Sequence, residues 1–453
     1  MALILKNLTL VLPDTVIPRG YLMIEGAHIT ALGAGSPPQA LISQALATSL
    51  QYPQIVDAAN KLALPGLINS HTHLEQTFMR GYSANHSLLD WLRNYIWKLQ
   101  SAMTLDDIRL ACTLGLVEAI RGGATTIVQH YKLPFSPAHS DVVLQAAEKM
   151  GVRLVLARGW ADRGANAEPA AGILADLERL YGEWHGGADG RIHIANGPLA
   201  PWRCSPQTLQ ATAEQARRHG AISHCHMNET QDEVAMTVKE TSLRPIEWFA
   251  GLGLLGDDFH AVHGVWLSDF ECELLAQHKA TVIHCPAANM ILASGIAPMA
   301  KLHKMGVNLA LATDGPASND GQDMFEMMRL AAYLARVSTL DAQAMSPRQA
   351  IDMATANGAR ALKRADDASS RLEVGARADL VLLDLEAAHI QPVGNPLSSV
   401  VYNARGSDVD TVIVNGQVLM EGGRVAVVDE LALLAECRER AAHLAQRAGI
   451  ASE

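Results

Sequence analysis

The sequence predicts an α/β fold: a parallel (β/α)8 TIM barrel with a small composite β-sandwich domain formed by both termini. Three observations carry this reading. Between residues 61 and 369, apolar strand-like runs alternate with helical segments eight times, ending near His73, His130, Trp160, Leu199, Glu229, Trp266, Pro286 and Asp314. Eight β-then-α units are the signature of a closed parallel barrel. The two ends of the chain, 1–60 and 370–453, read instead as short strands punctuated by turn residues. Finally, the polar residues with the strongest chemistry fall at the ends of the predicted barrel strands, the face on which such barrels build their sites.

Residues 3–12 and 21–31 are strand-like runs separated by Pro13, Pro18 and Gly20, and a Gly/Ser/Pro stretch from 33 to 38 opens a loop or small insertion. In the barrel region, Thr104 ahead of Asp107 and Ser268 ahead of Glu271 are helix starts of the capping-box kind. The segment from Arg80 to Lys98, after the first strand, is placed to form a lid. Beyond the barrel, 378–383 reads as a compact strand and 412–419 as a hairpin about Asn415-Gly416. Apolar residues at helical spacing from Glu430 to Arg447 predict a closing helix packed on the outside.

The 453 residues are 49% hydrophobic and 18% charged, enough for a sizeable core. A net charge of −11 with no Lys/Arg-rich run argues against nucleic acid, which needs a concentrated basic surface. No stretch approaches the ~18 uninterrupted apolar residues of a membrane span, and the first residues break their apolar run too early for a secretory signal. The six cysteines are scattered, with no C-x-x-C pair, and read as reduced buried thiols. A cytoplasmic protein with no membrane partner is the expectation.

His71 and His73 are two apart, so on a strand both face the barrel centre. Neutral imidazoles at this spacing suit a borderline metal such as zinc; a pair of loop histidines is the competing reading. His226 ends a later run and Asp314 the last, and with His71 and His73 they describe a site for one divalent ion that activates water, with His263, at the end of the run after His226, beside it. Glu229, three residues past His226, is placed as general acid or base, against the alternative of a carboxylate complementing a helix N-terminus. Asp314 is a ligand and proton acceptor, against an N-cap before Gly315-Pro316. His224 shares the parity of His226 and reads as a supporting or packing residue. Cys225 alternates to the opposite face as a buried thiol. His284 is a pocket wall or a core histidine. Of the aromatic run Trp91, Tyr95 and Trp97, helical spacing favours core, with Trp91 also placed to wall a pocket. The fourth strand ends in Asn196-Gly197-Pro198-Leu199, with no lysine or acid to bridge a second ion.

Together, residues 64–73 (LPGLINSHTH), 226–230 (HMNET), 289–298 (NMILASGIAP) and 313–320 (TDGPASND) resemble the amidohydrolase superfamily. The likeness is to the branch of methylthioadenosine/adenosylhomocysteine deaminases, triazine hydrolases and 8-oxoguanine deaminases. It implies a mononuclear centre of His71, His73, His226 and Asp314, holding Zn2+ or alternatively Fe2+, with Glu229, His263 and Asp314 as proton-handling residues. It also implies hydrolytic release of ammonia from an amino-substituted N-heteroaromatic ring of the purine, pterin or s-triazine type. A homodimer is compatible with it. Candidate substrate contacts are Gln76, Trp91, Gln100, Leu199 and Asn319. Methylthioadenosine-type deaminases carry a ribose-binding glutamate where this chain has Gln100, and a histidine where it has Leu199. A free heterocycle is therefore favoured over a nucleoside; a nucleoside deaminase and a triazine chlorohydrolase are the alternatives. A catalytically silent barrel is disfavoured, since all four ligands and both partners are retained.

Overall fold

The computed structural model describes residues 2–48, 54–131, 136–363 and 370–450. Eight parallel strands, Leu67–Thr72, Ala124–Tyr131, Arg153–Trp160, Ile192–Pro198, Ser223–Met227, Phe259–His263, Thr281–His284 and Asn308–Leu311, pair in sequence order and are numbered one to eight below. Strands eight and one are stitched through Asn69. Its amide donates to Thr313 Oγ1 at 2.7 Å and its carbonyl accepts from the Thr313 N–H at 3.1 Å. The Asp314 N–H then donates to the His71 carbonyl at 3.0 Å, so the seam of the barrel brings His71 and Asp314 together.

Apolar side chains close the barrel base. Ile68, Val128, Val155, Ala195 and Ile222 pack with Ala359 and Leu362, which belong to, or directly follow, the short helix Ala356–Ala361. Above this plug the interior turns polar, in layers set by the two-residue period of the strands. The expected helix starts are present: Thr104 and Asp107, and Ser268 and Glu271, form reciprocal capping boxes. The segment after strand one folds as Leu88–Trp91, a wide turn at Leu92–Ile96 and Trp97–Ala102.

The second sheet has nine strands drawn from both ends of the chain. Its order is Arg424–Val425, Gln417–Glu421, Val409–Val414, Leu380–Asp384, Lys61–Pro65, Ala2–Val11, Val16–Glu25 and His28–Ala34, with Gln54–Asp57 also pairing to Ala2–Val11. The expected single run over 21–31 is in fact two strands, because Gly26 takes a left-handed turn at φ 59° between them. The stretch after Gly33 ends a strand and leads into the helix Gln39–Thr48 rather than into a loop alone. The Asn415-Gly416 hairpin is as expected, with φ of 52° and 74°. A Cβ on Gly416 would lie 1.8 Å from the Gly26 carbonyl oxygen, so only glycine fits there.

Barrel and sheet are locked by Arg153, which is buried and pairs with buried Asp379, while Arg153 Nη2 also donates to Asn415 Oδ1 at 3.1 Å. The closing helix is Glu430–Arg447, and its Arg447 pairs with buried Asp107 on the helix Leu105–Arg121. All six cysteines are buried and unpaired. Among the described residues, no helix is long and apolar enough to cross a membrane. The expected end of the barrel at residue 369 lies outside the described residues.

Candidate metal centre and active site

Strand ends deliver the side chains. His71 lies within strand one and His73 just beyond it, His226 is on strand five, His263 ends strand six, and Asp314 follows strand eight. Two of these positions leave extended geometry, His263 at φ 74° and Asp314 at φ 61°, as does Asn228 just past strand five at φ 53°. Such left-handed residues turn the chain sharply at the rim and concentrate at functional sites.

Hydrogen bonds fix how the imidazoles present themselves. A carbonyl oxygen can only accept, so the bonds from His73 Nδ1 to the His130 carbonyl (2.5 Å) and from His226 Nδ1 to the Leu199 carbonyl (2.6 Å) place the proton on Nδ1 in both. Their Nε2 lone pairs then face each other at 3.4 Å. Asp314 Oδ1 is 3.2 Å from His71 Nε2 and 3.4 Å from His73 Nε2. His71 Nε2 is buried without a hydrogen-bond partner among the described residues. The lone pairs of His73 and His226 and the Asp314 carboxylate converge and repel unless a cation sits among them. The donor set fits a divalent metal of the borderline kind.

Asp314 is held for this task. Its Oδ1 accepts from the Gly315 N–H at 2.7 Å and its Oδ2 from Ser318 Oγ at 2.9 Å. Burial opposes its ionisation, but His263, His73 and His226 around it outweigh that and keep its carboxyl below the usual range. Glu229 is the opposite case. Burial, reinforced by the charge of Asp314, pushes its carboxyl up to about 8. Its Oε1 accepts from Ser294 Oγ at 3.2 Å and its Oε2 lies 3.4 Å from His263 Nε2. Two carboxyls with affinities pushed apart are the mark of an acid and a base at one site. His263 Nδ1 donates to Asn289 Oδ1 at 2.9 Å, leaving Nε2 free to accept.

A single cavity over this face is lined by His73, His226, Glu229, His263 and Asp314 at one end. Four of the five candidate substrate contacts, Gln76, Trp91, Gln100 and Leu199, line it as well. Asn319 does not: its amide is spent on the carbonyls of Thr313 and Gly321, both at 2.9 Å, and it shapes the loop after strand eight.

The Amidohydrolase family model matches residues 62–419. The chain belongs to the amidohydrolase family. Over 448 residues this amidohydrolase is 37% identical to the 5-methylthioadenosine/S-adenosylhomocysteine deaminase of Syntrophomonas wolfei, covering 98% of this chain and 99% of the relative. It is also 37% identical, over 431 residues and 95% of each chain, to the 5'-deoxyadenosine deaminase of Methanosarcina barkeri. Among solved structures, an adenosine deaminase from Xanthomonas campestris with bound zinc superposes with a TM-score of 0.89 at 30% identity over 98% of both chains. The barrel with its composite sheet, the histidine-rich metal site and the hydrolase class are therefore those of a metal-dependent amidohydrolase.

Residues that the sequence pattern did not single out also stand at this site of the amidohydrolase. His130, near the end of strand two, belongs to the histidine cluster and donates from Nε2 to the Gly197 carbonyl at 3.0 Å, while its buried Nδ1 has no hydrogen-bond partner among the described residues; the strand-end rule could have found it. Glu75 is fully buried, accepts from Gln129 Nε2 at 2.7 Å and from Gln100 Nε2 at 3.3 Å, and burial raises its carboxyl. Arg203 lines the cavity with its guanidinium 5.6 Å from the Trp97 ring and 5.3 Å from that of Trp202. Glu233, which burial and the neighbouring Glu229 raise to about 7, lines it too. His284 is buried outside the cavity lining, so it is not a pocket wall, and both its ring nitrogens lack a hydrogen-bond partner among the described residues, so it is not a satisfied core histidine either.

Proposed function

We propose that this amidohydrolase removes ammonia hydrolytically from an amino-substituted N-heteroaromatic ring of the purine type, using one zinc ion held by His71, His73, His226 and Asp314. The observation that carries the reading is the convergence of Asp314 on His71 and His73, at 3.2 and 3.4 Å, at one end of a cavity that Glu229 and His263 also line. Relatives named as deaminases over nearly the whole chain support it. The absence of a lysine or acid at the end of strand four supports a single ion.

When bound, the metal supplies Lewis acidity that brings the pKa of water towards neutrality. Asp314 accepts one proton of the attacking water at its carboxylate. Glu229 donates its own proton to the ring nitrogen beside the attacked carbon, so no negative charge accumulates on the ring. His263 Nε2 accepts a hydrogen bond from the incoming hydroxyl. Asp314 passes its proton to the amine, which leaves as ammonia, and the remaining hydroxyl proton returns to Glu229. The product carries an oxo group and a protonated ring nitrogen, and the balance closes with one water consumed.

Gln100 and Leu199 in the cavity support a free ring. The relatives' names support a second reading, an adenine nucleoside. Ammonia release from the zinc-loaded protein across free purines, pterins, aminotriazines and adenine nucleosides tests both. Turnover of free rings supports the first reading and turnover of nucleosides alone the second. Silence across the panel with zinc bound overturns deamination.

A further inference from the structure

The tautomers of His73 and His226 are set by backbone carbonyls, but His71 Nδ1 faces another imidazole, His224 Nε2, at 2.7 Å. Two neutral imidazoles can share one proton in either direction, so this contact alone leaves open which nitrogen of His71 carries it. The answer lies further down the barrel. His224 Nδ1 is 3.0 Å from His260 Nδ1, and His260 Nε2 is 2.8 Å from the carbonyl oxygen of Ala361. Ala361 ends the short helix at the barrel base, where a helix leaves its last carbonyls without an intrahelical donor.

A carbonyl only accepts, so His260 carries its proton on Nε2 and offers a lone pair at Nδ1. His224 must then donate from Nδ1, which leaves its Nε2 as an acceptor. His71 must in turn donate from Nδ1, and its Nε2 keeps the lone pair. Every other neutral assignment sets a lone pair against a lone pair, an N–H against an N–H, or a lone pair against the Ala361 oxygen. We infer that His260 and His224 form a directional relay that starts at the Ala361 carbonyl and fixes His71 as the Nδ1–H tautomer, so that Nε2 is its metal-binding atom.

Layering makes the relay. His224 and His260 are direct neighbours on strands five and six. His224 lies two residues below His226, on the same face and one layer deeper. All three relay imidazoles are fully buried, and charged rings packed against one another away from water would be costly, so neutral rings are the relevant species. His224 and His260 are positioning residues: they touch no substrate and act through His71.

The test uses the zinc-loaded protein and a chelator competition that reads zinc affinity directly. His260→Gln preserves the polarity, with a carbonyl oxygen to accept from His224 and an amide to donate to Ala361. His260→Phe removes it at comparable bulk. The relay predicts affinity near the unmodified protein for His260→Gln and a 10- to 100-fold loss for His260→Phe, the range typical of partners behind a metal ligand. Equal affinity in the two variants, whether both retained or both lost, overturns it, because a packing role ignores polarity. Nitrogen-15 imidazole spectra of the unmodified zinc-loaded protein, with His224 signals assigned by their loss in His224→Gln, give a reading independent of His260→Phe folding. Nδ1–H on His224 is expected, and Nε2–H overturns the relay. The inference rests on the metal reading of His71, not on the substrate. An unmodified protein that binds no zinc removes that reading, whereas the outcomes above concern the relay alone.

Discussion

Glu229 Oε2 stands 3.4 Å from His263 Nε2, and the two side chains come from the ends of adjacent strands. With His263 Nδ1 committed to Asn289 at 2.9 Å, Nε2 is the ring atom that faces Glu229 and the cavity. Substitution of Glu229 by Gln keeps the shape but removes the transferable proton. Turnover is expected to fall by about 10²- to 10⁴-fold, the usual worth of a positioned acid, while zinc content measured by elemental analysis stays at the unmodified level. Full activity in Glu229→Gln would return this carboxyl to a structural role.

The same carboxyl predicts a pH profile. Glu229 must be protonated to donate, and burial together with Asp314 raises it to about 8. Activity therefore falls as pH rises through that value, and a bound cation, which favours the ionised form, moves the fall to lower pH. The alkaline limb of kcat/KM is expected at or below pH 8, and it should be missing from the residual activity of Glu229→Gln. A limb that persists unchanged in the variant belongs to another group.

Asp314 sits at φ 61°, a conformation that asparagine tolerates well. Asp314→Asn should therefore fold, with a circular dichroism spectrum like that of the unmodified protein. It keeps an oxygen towards the metal but cannot take a proton from water or hand one to the amine. Loss of turnover in a folded, zinc-containing protein is the expected result. Intact turnover would rule out the shuttle.

Much of this was legible in the sequence because strand period and catalytic chemistry coincide. The H-x-H of His71 and His73, and the carboxyls placed past strand ends, declare themselves without knowledge of neighbours. What depended on neighbours was hidden. Asn69 reads as an ordinary strand residue until Thr313 lies beside it. Asn319 stands in a stretch that resembles substrate-binding loops, yet its amide is consumed by its own loop. The run at 21–31 concealed a turn because apolar residues resume beyond Gly26 at Ala27 and Ile29. His224 was recognisable as a supporting residue by parity with His226, but its partner His260 begins a different strand, and no local pattern links the two.

Position 100 is the test of the proposed choice between free rings and nucleosides. Its amide donates to buried Glu75 at 3.3 Å, and its side chain lines the cavity. Gln100→Glu supplies a carboxylate able to accept from a ribose diol, an interaction worth about 1.5–3 kcal/mol when one partner is charged. The ratio of kcat/KM for nucleoside over free base should rise by about tenfold or more. The new acid also faces Glu75, already raised by burial, so some overall activity is lost to repulsion. An unchanged ratio would remove position 100 from the specificity argument.

Arg153 and Asp379 join the barrel to the composite sheet, and both are essentially without solvent exposure, at 0% and 1%. Removing one partner strands the other as a buried charge, which costs about 3–5 kcal/mol, whereas replacing both by apolar groups is often neutral. Arg153→Met should therefore lower the thermal midpoint sharply, and Arg153→Met combined with Asp379→Leu should recover much of the loss. Recovery will be incomplete, because Asp379 Oδ1 also accepts from the Asn415 N–H at 2.7 Å and Arg153 from its side chain holds Asn415 at the hairpin. The metal centre is on the opposite rim of the barrel from strand three's first residue, so zinc affinity in the folded variants should match the unmodified protein. If the single and double variants melt together, the pair is not what couples the two sheets.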